Sequence, residues 1–155
     1  MVFKGRYGAH SMNAENDTQR RQLTALISTL SPKLDSKCYV FCSHSAFNYD
    51  DLIGLKPLAF IRESEGLSLI LERAQADEGS LPYTGTFKRI TLTVQSSLEA
   101  VGLTAAISQA LAEARIPANI IAGTYHDHLF VPERFDQQAL KVLSSLSDAP
   151  FASDH

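Results

Sequence analysis

The residues best placed to do chemistry are His126, Asp127 and His128, two imidazoles two positions apart with a carboxylate between them. In a strand, side chains two apart face the same side, so such a pair could bind a metal or move a proton, with Asp127 orienting one ring. A mononuclear structural metal site wants about four protein ligands, and His10, His44 and His155 stand at no matching spacing. Ser96 and Ser97 lie in no G-x-S-x-G elbow, and Glu99 is not a base at serine's usual geometry, so a loop cap explains them. Glu63, Glu65 and Glu72 pair only on paper, because alternation and a hairpin loop already account for them as solvated charge. Cys38 and Cys42 share a strand face but lie about 13 Å apart, too far for a bridge, and are expected as buried free thiols. None of these groups supports catalysis, and no cofactor motif is present.

The elements that position these groups are clearest over residues 87–132. Ile90, Leu92 and Val94 alternate with polar residues, the period of a half-buried strand. Leu103, Ala106, Ile107, Ala110, Leu111 and Ala114 then fall on one helical stripe, which predicts a helix over 101–114, ended by Pro117. A β-branched and aromatic run over 118–125 continues through His126 and Asp127 into Leu129, Phe130 and Val131, a hairpin with Asp127 at its tip. Phe135, Ala139, Val142, Leu143 and Leu146 make a closing helix. Earlier in the chain, Leu23, Leu26, Ile27 and Leu30 predict a helix capped by Asp17 or Thr18 and stopped by Ser31-Pro32. Residues 37–43 form a central strand whose Tyr39 and Phe41 are expected as core aromatics between sheet and helices. Runs 57–62 and 67–72 make a hairpin whose Gly66 can take positive φ. Residues 74–86, with Gly79, Pro82 and Gly85 and no hydrophobic period, mark a boundary between two halves.

A chain of 155 residues can bury a core without staples. Its net charge of −3, with no basic cluster, argues against nucleic acid as a partner. No apolar run is long enough to span a bilayer and no secretory signal opens the chain, so no membrane association and a cytoplasmic location are expected. Residues 1–11 precede a second methionine, Met12, and are set aside as a leader or tag.

The second half runs β, α, β, β, α, a split β-α-β pattern lacking only its last strand. The segment ITLTVQSSLEAVGLTAAISQALAEARIPANIIAGTYHDHLFVP resembles an ACT domain, a small-molecule-binding regulatory module. VGLTAAISQALAEARIPA followed by a hairpin ending DHLFVPE is similar to the C-terminal half of tandem-ACT proteins, which include bacterial members and, more distantly, the animal cytosolic arginine sensors. KCYVFCS and PLAFIRESEGLSLILE resemble the N-terminal part of the bacterial members. The resemblance implies an α+β protein with the ferredoxin-like ACT fold: a degenerate unit over 12–78 and a second over 86–148, antiparallel sheets covered on one face by helices.

It also implies a ligand at the loop and helix start after the first strand of the second unit, at Ala100, Val101, Gly102 and Leu103. A glycine at a helix start lets a ligand approach free backbone N–H groups, which with the helix dipole favour a carboxylate. Close helix packing is the plainer role for Gly102. Asp127 matches an aspartate that lies at the ligand in the arginine sensors and would be the counter-charge for an ammonium or guanidinium; a turn-former is the plainer reading. Asn119 could supply an amide. The sensors carry an acidic residue where this chain has Ala100, its own Glu99 being displaced by one, so the resemblance implies an amino acid without specifying arginine. The expectation is a non-enzymatic amino-acid sensor, a homodimer through an exposed edge strand, with a small enzyme on His126, Asp127 and His128 or a pure interaction module as the rivals.

Overall fold

The computed structural model describes residues 9–45, 49–93 and 101–148. A first helix, α1 (Ala9–Ser28), leads into the long strand β1 (Pro32–His44), followed by α2 (Tyr49–Leu55), β2 (Ala59–Glu63), β3 (Gly66–Glu72) and α3 (Arg73–Glu78). Then come β4 (Phe87–Leu92), α4 (Leu103–Glu113), β5 (Asn119–Ala122), β6 (Asp127–Pro132), a 3₁₀ turn at Glu133–Phe135 and α5 (Asp136–Asp148). All six strands join one antiparallel sheet in the order β2-β3-β1-β4-β6-β5. The order is palindromic. Each half contributes three strands, and the position of its missing fourth strand is filled by the first strand of the other half, β4 beside β1.

The halves correspond residue by residue. Tyr39 stands opposite Glu72 as Phe87 stands opposite Pro132; Ser43 faces Ser68 as Thr91 faces His128; Ala59 faces Ile70 as Asn119 faces Phe130. Tyr39 and Phe87, equivalent under this correspondence, also pair with each other, so a pseudo-twofold axis passes between them.

The helices cover one face. Ile90, Leu92, Leu129 and Val131 pack there against Leu23 and Ile27 of α1, Leu103, Ile107 and Leu111 of α4, and Ala139 and Leu143 of α5. Val40, Cys42, Leu67, Leu69 and Leu71 pack against Leu52 and Leu55 of α2 and Ala76 of α3. Alternation along the strands sends the intervening residues to the other face. There Tyr39, Ile70 and Phe130 cluster with Phe41, Ala59, Phe87 and Ile121, residues drawn from strands alone. Phe41 meets Phe87 and Phe130 edge-on at centroid distances of 5.1 and 5.6 Å.

Several expectations change. Tyr39 and Phe41 lie on the face without helices, not between sheet and helices. Asp17 and Thr18 sit inside α1 rather than at its cap, and Ala9, His10 and Ser11, set aside with the leader, belong to the same helix. Part of the unpatterned stretch 74–86 is helical, because Glu72 and Gln75 form a reciprocal capping box that starts α3 and Ala76 plugs into the core. The Gly66 hairpin stands as expected, with φ at 139°.

Candidate functional site

β4 ends at Leu92, after which the Thr93 amide and hydroxyl both donate to the Ser31 carbonyl at 3.0 and 2.7 Å, and α4 begins at Leu103. Gly102 is the residue before the first turn of α4, with φ at 96°, and among the described residues no side chain caps that helix. The first amides of α4 therefore have no protein partner within the helix. A Cβ on Gly102 would lie 2.9 Å from Leu23 Cδ2, so α1 closes over this position and a side chain here would have to displace the end of Leu23, besides adopting a left-handed backbone. Val101 is exposed, whereas the Leu103 side chain is buried in the core and has only its backbone to offer a ligand. Ala100, with Ser96, Ser97 and Glu99, lies outside the described residues.

The turn between β5 and β6 is closed by the Gly123 amide donating to the His126 carbonyl at 3.0 Å. Asp127 is therefore the first residue of β6, paired with Leu92 on one side and Ala122 on the other, and the hairpin tip falls before it. It shares a strand face with Leu129 and Val131, both fully buried under the helices. Asp127 thus points to the α4 side, at the same end of the sheet where β4 finishes. His128 points the other way with Phe130, so the triplet does not converge on one point. Asn119 pairs with Phe130, three residues along from Asp127 or about 10 Å, at the end of the sheet where α4 finishes. Asp127 thus stands beside Leu92, the last residue of β4, and Asn119 stands opposite Phe130, three positions further along β6. Among the described residues no group of three or more His, Cys, Asp or Glu side chains is placed to hold a metal ion.

A polar cluster that the residue pattern did not single out occupies the helix-free face. The register of β1 against β4 shifts between Leu34 and Cys38, and Asp35 lies in this irregularity. Its carboxylate accepts from the Lys37 amide at 3.0 Å, from the Tyr39 hydroxyl at 2.7 Å and from Arg89 Nη2 at 2.5 Å. Burial works to raise the Asp35 pKa, but these donors and the guanidinium charge outweigh it and hold the group at about 2. Burial, and then the hydrogen bond to Asp35, push the Tyr39 hydroxyl well above its ordinary value. Arg89 lies over the Tyr39 ring at 5.1 Å, while its Nε is buried with no partner among the described residues. His128 Nδ1 is 3.0 Å from Thr91 Oγ1, and burial, then the nearby Arg89 and His126, lower its pKa against the pull of Asp127. The signal available beforehand was Arg89 itself, a charge in mid-strand on the side opposite Ile90 and Leu92.

Models of the ACT domain match residues 20–88 and 88–145 in tandem. A crystal structure of a Vibrio cholerae protein of unknown function, described as a possible transport protein, is 45% identical, superposes with a TM-score of 0.77, and is covered over 98% of its length by 83% of this chain. The chain belongs to the ACT-domain family. The tandem ACT fold also superposes, at 10% identity and a TM-score of 0.56, on the regulatory subunit of aspartate kinase from Thermus flavus, covering 74% of this chain and 95% of that one. A protein from Agrobacterium tumefaciens superposes at 13% identity and a TM-score of 0.59, with 76% and 89% covered. These two likenesses show the shared fold. No curated protein matches the chain. Among the described residues no helix of this ACT protein is long and apolar enough to cross a membrane.

Proposed function

We propose that this tandem ACT protein is a regulatory module that binds a free amino acid or similar zwitterion at the start of α4. The ligand's carboxylate would take backbone amides around the start of α4, at Ala100, Val101, Gly102 and Leu103, and its cationic group would face Asp127. What supports this reading is a helix start behind a left-handed glycine, with no side-chain cap among the described residues, together with a carboxylate that alternation along β6 sets on the helix side beside the last residue of β4. Asn119 would have to act on a ligand from elsewhere, since it stands at the far end of β5. The aspartate kinase regulatory subunit shares the fold, and regulation is carried from it as part of this proposal. A catalytic or metal-binding reading of His126, Asp127 and His128 is disfavoured by their division between the two faces.

Thermal-shift measurements on the full chain with each of the twenty amino acids test this. A ligand at a hundredfold excess over its dissociation constant should stabilise by about 2.7 kcal/mol. The shift should vanish in Asp127→Ala, and in Gly102→Leu if that variant folds. No shift with any amino acid, or a shift indifferent to Asp127→Ala, would sink the proposal.

A further inference from the structure

On the helix-free face of the C-terminal half, three basic side chains surround Thr91. Lys33 of β1 and His128 of β6 stand opposite it, one on either side. Opposed residues of antiparallel strands share a face with Cβ atoms about 5 Å apart, so the three make a row across the sheet. Arg89 lies two positions back along β4 on the same face, about 7 Å away. Asp35, two positions along β1 from Lys33, is the acid of this patch, and its carboxylate already accepts from the Lys37 amide, the Tyr39 hydroxyl and Arg89. Lys33 is exposed and enters no ion pair among the described residues. β5 contributes no charge, and Asp127, although next to His128 in the chain, points to the helix side. The two buried side-chain nitrogens without a hydrogen-bond partner among the described residues, Arg89 Nε and His126 Nδ1, belong to the same neighbourhood, since both side chains act on the charge of the His128 ring. A chain of net charge −3 thus concentrates unneutralised positive charge at one point of one sheet face.

The donors define what fits there. Asp35 holds Arg89 Nη2 and Nε is buried, so the guanidinium offers a charge rather than the two-pronged grip that selects a planar carboxylate. Single donors reaching in from three strands suit a tetrahedral oxyanion, which accepts from several directions at once. Thr91 couples the point to His128, its Oγ1 lying 3.0 Å from the ring Nδ1. With the ring neutral and its proton on Nε2, the hydroxyl donates to Nδ1; with the ring protonated, Nδ1 donates to the hydroxyl, whose own proton can then turn outward to an anion. We infer that Lys33, Arg89, Thr91 and His128 form a binding site for a phosphate group, carried by inorganic phosphate or by a small phosphate monoester, on the helix-free face of the sheet. The site stands apart from the amino-acid reading, because Asp127 and α4 belong to the other face.

NMR titration of the full chain with sulfate, a tetrahedral dianion whose charge is constant across neutral pH, tests this at fixed ionic strength. Sulfate should shift the His128 ring and Thr91 amide resonances saturably and should raise the pKa of that ring, so its affinity should grow about threefold from pH 8 to pH 6. Inorganic phosphate and methyl phosphate should displace it, the tighter of the two identifying a free or an esterified ligand, and succinate should bind at least about tenfold more weakly. Lys33→Gln should weaken sulfate about tenfold, Lys33→Arg should retain it, and Lys141→Gln, on α5, should change nothing. His128→Ser, read from the Thr91 amide, should remove the pH dependence. Circular dichroism melts confirm that each variant folds, and the exposed Lys33 carries the test if His128→Ser does not. No saturable shift, succinate binding as tightly as sulfate, an affinity indifferent to Lys33→Gln, or a pH dependence that survives His128→Ser would overturn the inference.

Discussion

The two halves share one backbone plan and spend it differently. Where the N-terminal half pairs Ser43 with Ser68, the C-terminal half pairs Thr91 with His128; where Phe41 extends an aromatic cluster, its counterpart Arg89 holds Asp35 in a part-buried ion pair. The first crossover carries the short helix α2 and leaves its edge strand bare, while the second carries α4, covers its edge and begins on a left-handed glycine. A duplicated framework thus places the open edge in one half and a helix that starts on a left-handed glycine in the other, with the pair of first strands, β1 and β4, tying them together.

That tie is tested hardest by equivalent core truncations. Leu69 and Leu129 are both fully buried, at corresponding positions of β3 and β6. Leu69→Ala and Leu129→Ala should each cost about 2–5 kcal/mol, and because the sheet is continuous across β1 and β4, both variants should melt in a single transition. Two separated transitions in calorimetry of either variant would show that the halves fold as independent units.

The glycines sharpen the contrast. A Cβ at Gly66 would lie 2.6 Å from the His44 carbonyl oxygen, a backbone atom that cannot step aside, whereas at Gly102 it would meet the end of the Leu23 side chain. Both positions have positive φ, 139° and 96°. Gly66→Ala should therefore cost about 2–3 kcal/mol and Gly102→Ala about 1–2 kcal/mol, measured by denaturant unfolding. The reverse order would mean that α1 is held rigidly against the α4 start.

What could be seen in the sequence follows from the range of the forces involved. The strand around Ile90 and Leu92, the helix through Ile107 and Leu111 and the hairpin at Gly66 announce themselves because spacing and turn chemistry are local. The side on which Tyr39 and Phe41 fall was not legible: alternation separates two faces but does not say which one receives the helices. The missing fourth strand was not legible either, since β4 beside β1 is a pairing between distant segments. Asp suits turns, which puts Asp127 at the hairpin tip on local grounds, but the Gly123–His126 closure moves it into the strand. The Asp35 site is not legible because its partner Arg89 is distant in sequence and meets it through a shift in register that no local pattern encodes.

Arg89→Met, which keeps much of the stem but removes the charge, tests how much of the difference between halves rests on that ion pair. It leaves the Asp35 carboxylate part-buried with fewer donors and should cost about 1–2 kcal/mol at neutral pH. Because the Asp35 pKa is depressed from 3.8 to about 2 in the folded protein, its contribution is fully present above about pH 4 and is lost as the pH falls toward 2. In Arg89→Met, acid unfolding followed by circular dichroism should begin at higher pH, the carboxylate having lost one donor and the neighbouring positive charge. An unchanged acid limb would assign the stabilisation to the Tyr39 hydroxyl and the Lys37 amide instead.

The smallest effect belongs to His128, where the C-terminal half has a titrating ring and the N-terminal half has Ser68. Its folded pKa is lowered first by burial and then by Arg89 and His126, with Asp127 opposing, so the fold favours the neutral ring. The sign is that of a depressed group: its contribution is present above the ordinary value near 6.5 and is lost as the pH falls below it. His128→Ser makes this position resemble its counterpart and should flatten the slope of stability between pH 7 and 5, with little change at pH 8 beyond the lost packing on Thr91. Stability measured against pH in urea decides the matter. If the slope survives the substitution, the half-buried His128 ring beside Thr91 is not its source, and the two halves differ at this position in packing alone.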